Sequence, residues 1–260
     1  MRRLAIKIAY DGSSFYGWQS QIITPTVQQT LEEAFSRIAK SEIRIHGSGR
    51  TDTGVHALAQ IAHFDFPISM TKHQIILASK SVLPKTLQIL NVTEVSKDFN
   101  SRYDACERTY KYVITKTQTP FNYKYKSYFP KLKINVDVFK KCIKYFIGEY
   151  DYTSFAKPNP DIRNYICNVK KMEIYTENND IIILITANRF LHNMVRRIVG
   201  AVLSISDKGL DPSIISTWIE AKKHEQKNYF TALPNGLYLI DVKYPENMIS
   251  FSEDLDIYIE

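Results

Sequence analysis

Leu4-Ala5-Ile6-Lys7-Ile8-Ala9-Tyr10, followed by Asp11-Gly12, decides the fold. Leu4, Ile6, Ile8 and Tyr10 recur at period two, the spacing of a strand with one buried face, and Asp11-Gly12 ends it. Beyond this strand the period changes. Thr26 and Gln29 form a capping-box pattern ahead of Val27, Leu31, Ala34, Phe35 and Ile38, an apolar stripe at helical spacing. Two strands, 43–46 and 59–66, then flank a glycine-rich segment. Thr71 and Gln74 repeat the capping-box pattern before Ile75, Ile76 and Ala78, and 87–95 supplies another strand. The order is β-α-β-β-α-β.

The second half follows the same order more loosely. A strand at 109–115 precedes a helix through Val136, Phe139, Ile143 and Phe146, and strands follow at 169–175 and 181–187. A long helix begins at Phe190, with Leu191, Met194, Ile198, Val202 and Ile205 on one face. A shorter helix starts at Asp211-Pro212, and 237–244 closes the chain with a strand. The fold predicted is α+β: two ferredoxin-like (β-α-β-β-α-β) halves with mainly antiparallel sheets and the helices packed on one side. The halves divide as residues 1–105, which hold the glycine-rich loop, and residues 106–260.

At 260 residues and 44% hydrophobic content, the chain can bury one large core or two modest ones. The 34 Lys and Arg against 27 Asp and Glu leave a net charge of +7, which favours an anionic partner such as RNA or DNA. Cys106, Cys142 and Cys167 lack any Cys-x-x-Cys spacing, which argues against a disulfide framework or a zinc ribbon. The N-terminus alternates polar and apolar residues, unlike a signal peptide, and the longest apolar run, Ile181 to Ile185, is too short to span a bilayer. A cytoplasmic location with no membrane contact is the expectation.

Three segments carry candidate chemistry. Gly47-Ser48-Gly49-Arg50-Thr51-Asp52-Thr53-Gly54-Val55-His56 lies between two predicted strands, and its glycines let the backbone bend and a ligand approach closely. Arg50 could hold Asp52 ionised and contact a phosphate, since a nearby cation lowers a carboxylate's pKa. The competing reading of Asp52 is a local turn acceptor, and His56 reads as structural, with no second His or acid at metal-ligand spacing.

Ser101 to Tyr112 interleaves arginine, lysine and tyrosine, and Tyr110 and Tyr112 share a strand face. Such a mixture can stack a base and hold phosphates, although tyrosine also suits strands for packing alone. In Phe190-Leu191-His192-Asn193-Met194-Val195-Arg196-Arg197-Ile198-Val199-Gly200, at least one of the two arginines nears the buried boundary. It either takes a carboxylate partner or snorkels along the core edge.

Together these segments resemble the TruA family of tRNA pseudouridine synthases, over nearly the whole chain and in order. The resemblance rests on Tyr10-Asp11-Gly12-Ser13-Ser14-Phe15-Tyr16-Gly17-Trp18-Gln19, Thr26-Val27-Gln28, Gly49 to Ala57, Leu83-Pro84, and Arg108-Thr109-Tyr110-Lys111-Tyr112. Asp151-Tyr152-Thr153-Ser154-Phe155, Phe190 to Gly200, and Gly236-Leu237 complete it. Thr53 replaces the common Ala, Thr86 an Asp, and Ala232-Leu233-Pro234-Asn235 the usual lead into Gly-Leu. These departures bear on loop contacts with tRNA rather than on the reaction.

The resemblance implies isomerisation of uridine to pseudouridine at positions 38, 39 and 40 of the anticodon stem-loop of tRNA, by a homodimer with an RNA-binding cleft and no cofactor or catalytic metal. It makes Asp52 the catalytic carboxylate, whether it attacks the sugar, attacks the base or removes a sugar proton. It pairs Arg196 with Asp52, stacks Tyr110 on the extruded base, gives Arg50 the flipped nucleotide's backbone and packs Leu237 beside the carboxylate. The alternative is a catalytically silent tRNA-binding or RNA-folding protein. A nucleotide-phosphate enzyme is disfavoured, because the Gly-rich turn lacks the Lys-Ser or Lys-Thr ending of a phosphate loop.

Overall fold

The structure is a computed structural model and describes residues 1–22, 24–224 and 227–251. Among them are ten strands, mainly antiparallel, and five α-helices, an α+β chain as the periodicities predict. The chain divides into two compact units: Met1–Cys106 together with the residues from Leu239 onward, and Glu107–Tyr238.

In the first unit, β1 (Arg2–Tyr10) pairs antiparallel on one side with β3 (His56–Phe66) and on the other with β4 (Leu87–Val95). Ile6 therefore sits between Ala62 and Val92, and the period-two face is buried as read. A two-residue strand, β2 (His46–Gly47), adds to β3. Two helices, α1 (Val27–Ala39) and α2 (Lys72–Val82), bury their apolar stripes, and Phe35 of α1 stacks obliquely on Phe64 of β3 with centroids 4.6 Å apart. Burying such a ring is worth roughly 1.5–3 kcal/mol.

Thr71 and Gln74 form the full reciprocal capping box, whereas at α1 Thr26 accepts from the Gln29 N–H while the Gln29 amide bonds Glu33 instead. Residues 43–45 are not the strand their pattern predicts. Ile43 and Ile45 are buried, but their N–H groups donate to Ser36 Oγ and Glu32 Oε1 on α1. A helix's side chains thus take the hydrogen bonds a neighbouring strand would have made.

In the second unit, β5 (Glu107–Thr115), β9 (Asp180–Ala187), β8 (Ile166–Glu177) and β7 (Gly148–Asp151) lie side by side in that order, each antiparallel to the next. Their register sets Tyr110 opposite Ile185 and Ile183 opposite Ile174. A short β6 (Ser127–Tyr128) runs parallel to β5. The helices are α3 (Val136–Phe146), α4 (Met194–Lys208) and α5 (Ile214–Ala221).

The long helix starts at Met194 rather than Phe190, because Asn193 is left-handed (φ 63°) and the preceding residues form a turn closed by Met194 N–H on Leu191 O. Gly200 lets α4 lie against the chain ahead of Ala232: a Cβ there would fall 1.8 Å from the Phe230 carbonyl oxygen. The last strand, β10 (Leu237–Lys243), carries the chain back to the first unit. There Cys106 N–H donates to Lys243 O (2.8 Å) and Tyr244 OH to Ser101 O (2.7 Å).

Candidate active site

The loop of Asp52 is fixed residue by residue. Ser48 N–H donates to Ile61 O (2.7 Å) and its hydroxyl to Gln60 Oε1 (2.6 Å), while Gln60 Nε2 donates to Gly49 O (2.9 Å). Gln60 is fully buried on β3, so these bonds form where no water competes. One residue before Asp52, the Thr51 and Tyr10 hydroxyls share a 2.8 Å hydrogen bond, and Thr51 O accepts from Trp18 N–H (3.0 Å). Burial pushes the Tyr10 phenol up to about 12, against a smaller opposing effect of the bond to Thr51. Past Asp52, its own carbonyl accepts from Val55 N–H (3.1 Å).

The Tyr10-to-Trp18 segment is the other wall of this loop. Gly12 approaches so closely that a Cβ would lie 2.0 Å from the Val55 carbonyl oxygen, and its N–H donates to His56 Nδ1 (3.1 Å). Gly17, at φ +83°, also packs closely, since a Cβ there would lie 2.7 Å from Thr51 O. The carbonyls of Gly17 and Trp18 also accept from Val27 and Gln28 at the start of α1, whose first N–H groups have no partner within the helix. His56, buried and bonded to Gly12, is structural as its sequence context suggests.

Asp52 itself is partly exposed at the crest of this scaffold, and Arg50, two residues away, is exposed beside it on the same loop. Chemically, a carboxylate held on a rigid loop with one side open suits nucleophilic or general-base work.

The second unit holds Tyr110, Arg196 and Leu237. Tyr110 is 8% exposed on β5, its ring edge-on to Phe190 with centroids 5.1 Å apart. Arg196, in the first turn of α4, donates from Nε to Ala232 O (2.7 Å) and from Nη1 to Asn193 Oδ1 (3.0 Å). Its neighbour Arg197 donates to three carbonyls, those of Ala156, His224 and Ser154. Of the two arginines read at the buried boundary, Arg197 is therefore held by main-chain oxygens and braces the turn Thr153–Phe155.

Leu237 is buried at the start of β10. The turn before it, Pro234–Gly236, is held by Asn235, which accepts from Ser127 Oγ (3.0 Å) and donates to Tyr123 O and Lys126 O. Tyr112 OH completes that network by bonding Ser127 Oγ and Leu233 O.

Several supporting residues escaped the sequence reading. Gln60 and Phe190 gave no signal of their own, since one sits in a strand pattern and the other at a predicted helix start. Trp18 is a further support. Its indole fills the space over Gly47, where a Cβ would lie 2.5 Å from the ring. No group of three or more His, Cys, Asp or Glu is placed to hold a metal ion among the described residues. Nor is any helix among them long and apolar enough to cross a membrane.

A family model described as tRNA pseudouridine synthase matches residues 6–104 and 142–245, which include Asp52, Arg196 and Leu237. The chain belongs to that family. The tRNA pseudouridine synthase A of Caldicellulosiruptor bescii is 39% identical over 245 residues, 94% of this chain and 100% of the relative. That of Caldicellulosiruptor saccharolyticus is 39% identical over 252 residues, and tRNA pseudouridine synthase A 2 of Clostridium perfringens 36% over 248, each covering 94% of this chain and 100% of the relative. As a member of the tRNA pseudouridine synthase family, the chain is an isomerase acting on tRNA, converting uridine to pseudouridine. The family model leaves out residues 105–141, and with them Tyr110.

Proposed function

We propose that this pseudouridine synthase acts at positions 38, 39 and 40 of the tRNA anticodon stem-loop, with Asp52 as its catalytic carboxylate. It works in the cytoplasm as a homodimer and without cofactor. The observation that carries this reading is the Asp52 loop: main-chain and buried side-chain bonds pin Ser48, Gly49, Thr51 and Val55, while Asp52 keeps access to solvent. A preorganised carboxylate loses little entropy on meeting its target.

The reaction breaks the bond from uracil N1 to the ribose, turns the retained base and forms the bond from C5, releasing the C5 proton. The nucleotide must first leave its stack. Asp52 takes the first step, on the sugar, on the base or on a sugar proton. Arg196 pairs with it and keeps it anionic, Tyr110 stacks on the extruded base and serves the C5 proton transfer, Arg50 holds the flipped nucleotide's backbone, and Leu237 packs against the carboxylate.

We read the fold as two ferredoxin-like halves with an RNA-binding cleft, a reading supported in the first unit by β1 lying between β4 and β3, with the short β2 added to β3. Unmodified tRNA transcripts treated with the protein, then mapped by pseudouridine-specific carbodiimide adducts and primer extension, test the positions. Stops confined to 38–40 are expected, and stops only outside the anticodon arm would overturn the assignment.

A further inference from the structure

The stretch from Arg108 to Val136 contains one arginine, six lysines and no Asp or Glu, a local excess equal to the whole chain's net charge of +7. Within it, residues 119–126 form a compact loop that presents aromatic rings outward. Phe121 is 91% exposed, Tyr123 49% and Tyr125 40%.

These rings are not loose ends. Thr119 N–H donates to Asn122 Oδ1 (2.8 Å), the N–H groups of Tyr125 and Lys126 donate to Asn122 O (each 2.9 Å), and Asn122 Nδ2 donates to Thr117 O (3.0 Å). The loop is also held from outside, by Asn235 Nδ2 on Tyr123 O (2.6 Å) and Tyr238 OH on Tyr125 O (2.6 Å). A backbone this fully bonded cannot fold Phe121 into a core, so a large ring stays in water that would gain by being covered. Cations stand among the rings: Lys124 is 5.9 Å from the centroid of Tyr123, and Lys111 lies 5.4 Å over the ring of Tyr238. Lys126 is paired with Asp180 at 2.6 Å.

We propose that this loop is a second RNA contact, a stacking platform in which Phe121 and Tyr123 receive unpaired bases of the tRNA while the surrounding lysines hold the backbone. Rigid aromatic faces interleaved with cations, of which Lys126 is ion-paired with Asp180, are the surface single-stranded RNA recognises, since every base has a face to stack and every phosphate a charge to pair. Lys111 alternates with Tyr110 along β5, so the platform is not the strand face that presents Tyr110. A second copy of the chain fits less well, because docking the patch on its own symmetry mate would set like charges together. The proposal rests on the chain acting on tRNA and adds a contact that the uridine chemistry does not require.

Binding of unmodified tRNA transcript to the full chain tests it, with wild type, Phe121→Ala, Phe121→Trp and Lys124→Gln titrated at several salt concentrations, and sedimentation velocity run on each. Phe121 is so exposed that its variants should fold normally. Phe121→Ala should weaken binding roughly ten-fold and Phe121→Trp should retain it. Lys124→Gln should lower the slope of log K against log salt by about one. Equal affinity of Phe121→Ala and wild type would overturn the platform and leave the proposed function standing if wild type still forms pseudouridine. An affinity loss accompanied by a smaller sedimenting species would assign the loop to a protein interface instead. A wild type that neither binds tRNA nor modifies it would overturn both readings.

Discussion

The hydroxyls of Tyr10 and Thr51 share a 2.8 Å hydrogen bond in the buried interior of the first unit, tying the end of β1 to the residue before Asp52. The bond joins the strand that sets the fold to the loop that carries the carboxylate.

Tyr10→Phe should therefore loosen the loop without dismantling the sheet. It strands the buried Thr51 hydroxyl, at a cost of about 1–3 kcal/mol. A fall in thermal midpoint together with a fall in turnover, read by calorimetry and by tritium release, is expected. Since burial holds the phenol protonated up to about pH 12, no activity change should trace to Tyr10 ionisation at lower pH. Full activity in the variant would show that the bond does not place Asp52.

His63 provides a pH test of the same unit. Burial, reinforced by His46 and Arg3 and opposed by Asp65 and Asp104, lowers its pKa from 6.5 to about 4. Its Nδ1 accepts from Ser101 N–H, and Ser101 in turn donates to His46 O, the first residue of β2. A base whose folded pKa is depressed favours the folded state above its unfolded pKa. That contribution is lost as pH falls from about 6.5 towards 4, and amounts to roughly 3 kcal/mol at the acidic limit. Urea unfolding of wild type and His63→Gln across pH 7 to 4 should show a steeper acid loss in wild type. Parallel slopes would remove His63 as the cause.

Arg196→Met tests the proposed ion pair. With Arg50 left as its neighbouring cation and Arg196 gone, a partly desolvated carboxylate binds its proton more tightly, so the acid limb of the pH–activity profile should move to higher pH. An unmoved limb, with activity lowered evenly, would contradict the pairing and leave Arg196 to its bonds with Ala232 and Asn193.

How much of this was legible in the sequence depended on who owns the backbone hydrogen bonds. The bounds of α3 were readable because its apolar stripe runs from Val136 through Phe139 and Ile143 to Phe146, and those of β4 because apolar Leu87 and Val95 stand at its two ends. Ile43 and Ile45 misled because burial and alternation look alike whether N–H groups face a strand or, as here, Ser36 and Glu32 on a helix. The short β6 and the edge strand β7, whose Glu149 and Tyr150 are exposed, had no apolar pattern to read. At the site, Asp52, Arg50, Tyr110 and Arg196 were singled out by residue type and by resemblance. The supports were not: Gln60 reads as one polar residue in a strand, and its bonds to Ser48 and Gly49 exist only after folding.

The role proposed for Asp52 in the isomerisation is tested by tritium release from unmodified tRNA labelled at C5 of its uridines, with wild type compared to Asp52→Asn. The amide keeps the shape of the side chain without its charge, so release by wild type and none by a variant that still binds tRNA is the predicted result. Substantial release by Asp52→Asn would contradict it.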